Sequence, residues 1–218
     1  FGDNGEPVDK IAKTYTITLK ADAFQRLIAD GFIYQFVFPV KTPGAYQYRV
    51  AIRDSQGGKV GSASQFIEVP NLKKNKLALS SIVLESLTAA EFDRMMASDV
   101  PVTARNPVSD TALGRIRIGT VLRYGVEIYN ARLGSDKRPS LQTRIRIFRD
   151  GTLVLDGKPA QFDLLGQTDM QHLKFAGALS IGNKLQAGDY VLQVIVTDPL
   201  AKAKQQIATQ FIQFEVVN

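Results

Sequence analysis

The sequence contains no cysteine and no tryptophan, and it has a single histidine. Without cysteine there is no thiol nucleophile, no disulfide staple and no thiolate metal site. With His172 as the one imidazole, a Ser-His-Asp relay would have to use it as the base, and no Gly-x-Ser-x-Gly elbow supplies the nucleophile. On this reading His172 stands on a strand face beside Leu173, partly exposed. Gly57-Gly58 lacks the Lys-Ser/Thr that completes a P-loop. Asp3, Asn4 and Glu6 lack the spacing of a calcium loop and read as a turn. No apolar run approaches the roughly 20 residues of a membrane-spanning helix, so no membrane span is expected. The opening Phe-Gly-Asp-Asn-Gly-Glu is polar and acidic, unlike a signal peptide. Catalytic residues, cofactor and metal are all expected to be absent.

What is present is globular. The 218 residues are 44% hydrophobic, enough for two cores of ordinary size. The net charge of +6 lies mostly in residues 71–218, where Lys73, Lys74 and Lys76 crowd one short stretch. A nucleic-acid binder groups its cations on one face with stacking aromatics. These lysines fall instead at a linker, so they read as a solvated connector and no nucleic-acid partner is expected.

One segment is written twice. Residues 43–54 are Pro-Gly-Ala-Tyr-Gln-Tyr-Arg-Val-Ala-Ile-Arg-Asp, and residues 187–198 are Ala-Gly-Asp-Tyr-Val-Leu-Gln-Val-Ile-Val-Thr-Asp. Gly44, Tyr46, Val50 and Asp54 match Gly188, Tyr190, Val194 and Asp198. A second echo sets Ser64–Val69 against Thr209–Ile212 with Phe214-Glu215-Val216. Two units therefore end in the same pair of strands.

Alternation fills in the rest. Tyr15, Ile17 and Leu19 predict a strand. Asp22 is placed to cap a short helix carrying Phe24, Leu27 and Ile28, with Gly31 ending it. Phe32–Val40, residues 46–52 and residues 62–69 read as strands, with a turn at Ser55–Gly58. Thr88 and Glu91 have capping-box spacing ahead of Phe92, Met95 and Met96. Val100–Asp110 reads as loop. Further strands are predicted at 113–118, 120–130, 141–149, 152–156, 171–181, 189–198 and 208–217, with an Asp150-Gly151 hairpin turn. Many short strands and few helices describe an all-β chain of two tandem immunoglobulin/fibronectin III-like β-sandwich domains with short helical insertions. The boundaries are 1–70, a linker at 71–76, and 77–218. Because Asp3-Asn4-Gly5 signals a hairpin turn that needs a strand before it, the first sandwich is expected to lack upstream strand(s); a loose N-terminal arm is the alternative.

Few residues stand out as a surface. Tyr46 and Tyr190 are structural tyrosines, either at a corner with the hydroxyl on backbone or as inward aromatics with the hydroxyl at the rim. Asp54 and Asp198 share a turn-capping role. Arg115 and Arg117 alternate with Ile116 and Ile118, and Arg144 and Arg146 with Ile145 and Ile147. Those four arginines form either a basic stripe for an acidic partner or a solvated face. For sugar binding, with no tryptophan, the candidates are Tyr34, Tyr124 and Tyr129.

Several segments resemble the C-terminal region of the von Willebrand factor A-related (VWFA-related) proteins of Acidobacteria. They are Tyr34–Phe38, Pro43–Val50, Gly61–Pro70, Leu77–Ser80 and Tyr129-Asn130-Ala131. The resemblance implies an extracytoplasmic setting: secreted, periplasmic or at the cell surface. The Asp-x-Ser-x-Ser metal motif of the family's A domain is absent, so metal-dependent adhesion does not carry over. The expected role is a non-catalytic scaffold or protein-interaction module of an exported bacterial protein. Its expected partner is protein, either the upstream domain of the same polypeptide or a neighbouring subunit by strand donation. A carbohydrate-binding module, with polysaccharide as partner, is the alternative.

Overall fold

The computed structural model of the chain describes residues 1–2, 4–30, 34, 36–97 and 114–218. Strands dominate and helices are few, so the fold is all-β in character. In residues 1–70 the elements are helix α1 (Ala21–Asp30) and strands β1 (Gly44–Arg53) and β2 (Val60–Val69). The two strands pair antiparallel from Gly44↔Val69 to Arg53↔Val60. Among the described residues no further strand joins this two-stranded sheet.

The strand expected at Tyr15–Leu19 is not formed. These residues have no regular secondary structure, and Tyr15 and Ile17 are more than half exposed. Alternation prepares a face, but a strand exists only where a neighbour accepts its backbone hydrogen bonds. The strand expected at Phe32–Val40 falls partly on Phe32, Ile33 and Gln35, outside the described residues, as do Asp3, Gly31 and the loop at 100–110. Residues 36–40 are coil, yet Phe36 and Phe38 lie against the Tyr48 ring at 6.5 and 6.0 Å. Asp22 sits inside the first turn of α1 rather than at its cap. There its charge faces the positive end of the helix dipole.

Residues 71–76 are a connector held in place rather than a free tether. Asn71 caps a 3-10 turn over Leu72–Lys74, and Asn75 closes it in the left-handed region at φ 47°. The Asn130 amide donates to the carbonyls of Leu72 (2.9 Å) and Lys76 (3.3 Å), fastening the connector to the unit that follows.

That unit is built from two sheets. Strands β3 (Ala78–Leu79), β4 (Val83–Leu87), β6 (Val121–Tyr129) and β10 (His172–Ser180) form one, with β6 between β10 and the β3/β4 pair. Strands β5 (Arg115–Arg117), β7 (Gln142–Arg149), β8 (Thr152–Asp156), β9 (Ala160–Gln161), β11 (Gly188–Thr197) and β12 (Ile207–Val217) form the other. Its order is β5-β12-β11-β7-β8, with β9 also on β7. All pairs are antiparallel except β5–β12. Every second residue of β6 points inward (Leu122, Tyr124, Val126, Ile128), and β11 does the same with Tyr190, Leu192, Val194 and Val196. Both sets belong to one core cluster, so the two sheets face each other over a shared interior.

Helix α2 (Ala89–Met96) follows β4 and starts as its sequence requires. The Thr88 hydroxyl accepts from the Glu91 amide at 3.2 Å, and the Glu91 carboxylate accepts from the Thr88 amide at 2.8 Å. Of its apolar residues, Met95 is buried and Met96 is exposed. At the β7–β8 turn, Asp150 and Gly151 both take positive φ (50° and 76°), as a type I′ hairpin demands.

Candidate functional site

The repeated segment has the same geometry in both copies. The Tyr46 hydroxyl donates to the Thr42 carbonyl at 2.6 Å, and the Tyr190 hydroxyl donates to the Gln186 carbonyl at 2.8 Å. Each reaches the residue four positions back, so the hydroxyl is at a corner rather than free at the rim. Asp54 accepts from the Gln56 amide (2.9 Å) and Asp198 from the Leu200 amide (3.0 Å). The backbone repeats too: the amide of Asp54 donates to Lys59 and that of Asp198 to Gln206. The copies differ in burial. Asp198 is fully buried, and its second oxygen accepts from the Arg132 amide at 2.7 Å. The amides of Gln56 and Gly57 hold the Asp54 carboxyl below its usual range.

Register corrects the second echo. Gly44 faces Val69 and Gly188 faces Val216. Ile67, Glu68 and Val69 therefore correspond to Phe214, Glu215 and Val216. Setting Ser64–Ile67 against Thr209–Ile212 is two residues out, which preserves the face because side chains alternate with period two.

The four arginines share the outer face of the six-stranded sheet but form two groups. Arg115 and Arg117 lie on β5, and Arg144 and Arg146 on β7, with β12 and β11 between them. Three strand spacings put the groups roughly 14 Å apart across the sheet, and the register offsets them further along the strands. Arg115 pairs with Glu215 at 3.2 Å. Arg144 and Arg146 share Asp156, at 2.5 and 3.1 Å, and Arg144 also donates to the Gly157 carbonyl. The Arg144 hydrogen bond leads in holding the Asp156 carboxyl below its usual range. Between the groups the face carries Ile195 and the exposed Phe211. The arrangement is thus two local charge pairs, and no continuous basic stripe runs across this face.

A polar cluster on the other sheet escaped sequence reading. Glu127 and Tyr129 are two apart on β6 and so share its outer face, and His172 lies directly opposite Tyr129 on β10. The rings of Tyr129 and His172 stack at 4.7 Å. The Tyr129 hydroxyl donates to the Glu127 carboxylate, which also lies 3.1 Å from His172 Nε2. Burial and the neighbouring carboxylate push the Tyr129 hydroxyl up to about 12. The hydrogen bond from Tyr129 leads in holding Glu127 below its usual range. The signal in sequence was the spacing, but only strand pairing brings His172 to it. The three side chains are half-buried on the outer face of the sheet.

The aromatic candidates for sugar binding separate. Tyr124 is buried in the core, where its ring passes over Gly177 on β10. It offers no surface to a glycan. Tyr129 is engaged by His172 and Glu127. Tyr34 is half exposed and continues a run of ring contacts from Tyr15 (4.9 Å) to Phe36 (6.1 Å). Among the described residues no group of three or more metal-ligating side chains converges. No helix among them is long and apolar enough to cross a membrane.

No family profile matches the sequence, and no curated protein matches it. Its likeness to solved structures is distant. The superoxide reductase (neelaredoxin) of Ignicoccus hospitalis is 8% identical over 68% of this chain and 88% of its own, with a TM-score of 0.36. A Bacteroides vulgatus protein described as DNA binding is 10% identical over 90% of this chain and 76% of its own, with a TM-score of 0.26. Similarity at this level transfers neither a site nor an activity.

Proposed function

We propose that the chain is a non-catalytic scaffold or protein-interaction module of an exported bacterial protein, working outside the cytoplasm. The observation that carries this reading is what the polar clusters do. Asp198 ties a turn, Arg144 and Arg146 clasp the end of β8 through Asp156, and Glu127, Tyr129 and His172 cross-link neighbouring strands. Each is engaged within its own chain, although Arg144 and Arg146 also line a cavity of about 320 Å³ with Thr143, Gln193 and Ile195. The extracytoplasmic setting and the VWFA-related kinship rest on the sequence resemblance.

The finer fold reading belongs with this proposal. For residues 77–218, an immunoglobulin/fibronectin III-like sandwich is supported by the order β5-β12-β11-β7-β8 facing β10-β6-β3/β4. Parallel β5–β12 pairing and the Tyr190 corner support it further. For residues 1–70, a second domain of the same kind is supported by the repeated hairpin and the Tyr46 corner.

The purified chain is expected to turn over nothing in a broad panel of ester, amide, phosphoester and glycoside substrates. Activity that disappears in Glu127→Gln or His172→Gln would overturn the reading. The carbohydrate alternative draws on the exposed Tyr15–Tyr34–Phe36 run, since sugars stack on such surfaces. A glycan array on which Tyr34→Ala abolishes a specific signal would establish it in place of the protein-interaction role.

A further inference from the structure

One end of the two-sheet unit is ringed by loops: the connector at 71–76, the loop from β6 to β7, the turn before β10 and the loop from β11 to β12. Between them lies a cavity of about 460 Å³ whose polar lining is Asn75, Asn130, Arg132, Gln171, Lys202 and Gln205. The lining thus holds two cations and four carboxamides. Among the described residues no carboxylate and no aromatic ring lines it. Arg132 and Lys202 are exposed, and among the described residues neither side chain has an ion-pair or hydrogen-bond partner. Further cations stand at the same end, because Lys74 and Lys76 flank Asn75 and Lys204 precedes Gln205.

The walls are fixed to one another. The buried Asp198 accepts from the Arg132 amide with one oxygen (2.7 Å) and from the Leu200 amide with the other (3.0 Å). One carboxylate therefore ties the β6–β7 loop to the β11–β12 loop, and both its oxygens are taken up by backbone. The Asn130 amide brings in the connector through the carbonyls of Leu72 and Lys76. The Gln171 amide reaches the Ala131 carbonyl at 3.5 Å, and the Gln206 amide closes the β11–β12 loop on the Ala201 carbonyl at 3.1 Å. Two other carboxylates near these loops are occupied locally: Asp169 accepts from the Gln171 backbone amide and Asp136 from that of Arg138. A positively charged cavity with walls already set loses little freedom when a ligand enters it.

We propose that this cavity binds an acidic sugar, a uronate unit of a polysaccharide, with its carboxylate at Arg132 and Lys202 and its ring hydroxyls at the carboxamides. The planar fork of arginine meets a carboxylate through two N–H donors, and lysine adds a point charge. Each carboxamide both donates and accepts, as a hydroxyl does, so Asn75, Asn130, Gln171 and Gln205 match a ring that carries several hydroxyls. The volume falls in the ordinary range of small-ligand sites, roughly 300–1,000 Å³. A neutral sugar fits less well, because the lining offers no aromatic ring to stack on and the cations are left unused. An acidic peptide also fits less well. A peptide takes hold along a free strand edge or in an apolar groove, and the walls here are loops. The inference goes beyond the interaction-module reading and does not rest on it, and its site is distinct from the Tyr15–Tyr34–Phe36 run.

Titration calorimetry of the full chain with trigalacturonate tests this, with its methyl ester and triglutamate alongside. Trigalacturonate is expected to bind, and the ester and the peptide to bind at least about tenfold more weakly, since each keeps only the shape or only the charge. Arg132→Ala and Lys202→Ala are each expected to weaken trigalacturonate binding about tenfold, and Gln205→Ala about threefold. Arg132→Lys keeps the charge without the fork and is expected to fall between Arg132→Ala and the unaltered chain. Tyr34→Ala and Lys158→Ala, at exposed positions elsewhere, are expected to change nothing. Unfolding midpoints measured on the same samples separate lost binding from lost structure. No binding at millimolar trigalacturonate would overturn the proposal. So would equal binding of the ester, equal binding of triglutamate, or an affinity unchanged in both Arg132→Ala and Lys202→Ala. A negative result leaves the substrate-panel test of the scaffold reading untouched, and turnover in that panel leaves this cavity untouched.

Discussion

The hydroxyl of Tyr190 and the carboxylate of Asp198 close opposite ends of β11, the first through one oxygen and the second through both. Tyr190→Phe removes one buried hydrogen bond while keeping the ring, and is expected to cost about 1 kcal/mol in denaturant unfolding. Tyr46→Phe should cost less, because that corner is only half buried. Asp198→Ala leaves the amides of Arg132 and Leu200 without their buried acceptor, and is expected to cost about 3 kcal/mol. Titration adds a test on the other sheet. The Tyr129 hydroxyl, held near 12, contributes stability that is fully present below about pH 10 and lost as pH rises through 12. Glu127, held below its usual range, contributes stability present above the ordinary carboxylate range and lost on acidification. Tyr129→Phe should remove the alkaline loss and weaken the acid one, as read by unfolding midpoints across pH. The tyrosines and aspartates at the repeated offsets were legible in sequence because a repeat points to positions under the same constraint. His172 meeting Tyr129 was not, since that contact depends on the register of strands more than forty residues apart.

Helix α2 and the β7–β8 hairpin formed where short-range chemistry asked for them. Thr88→Ala removes one half of the capping box and is expected to cost about 1 kcal/mol, measured by the same unfolding assay. A different outcome applies where neighbours decide. Gly177 sits beneath the Tyr124 ring, so any Cβ there collides with the hydroxyl. Gly177→Val is expected to cost about 2 kcal/mol through overpacking, and Tyr124→Leu should recover part of it. Nothing in the pattern around Gly177 announces this, because the ring that needs the space lies on another strand. The alternation at Tyr15–Leu19 failed for the related reason that no partner among the described residues accepts its backbone groups.

Among the described residues, every fully buried hydrophobic side chain lies in 77–218. Residues 77–218 hold the two facing sheets and the core cluster. Residues 1–70 hold a two-stranded sheet, and an isolated hairpin is marginal in water. A fragment of residues 71–218 is therefore expected to unfold cooperatively with the stability of the intact chain. In the intact chain, β1 amides are expected to exchange far faster than those of β11. Equal protection of the two hairpins, or a fragment that fails to fold, would show that the halves depend on each other.

Composition and periodicity by themselves determined the all-β character, the strands from β5 to β12 within a residue or two except the short β9, the capped helix and the repeated hairpin. These are local properties: period-two alternation, turn residues that tolerate positive φ, and hydroxyls placed three residues before a carboxylate. Tertiary structure alone decided which of two equal hairpins is buried, which arginines find a carboxylate, and which tyrosine is core rather than surface. Strand pairing and sheet stacking are made between residues far apart in sequence, and a sequence carries the face of each strand but not the neighbour that will cover it.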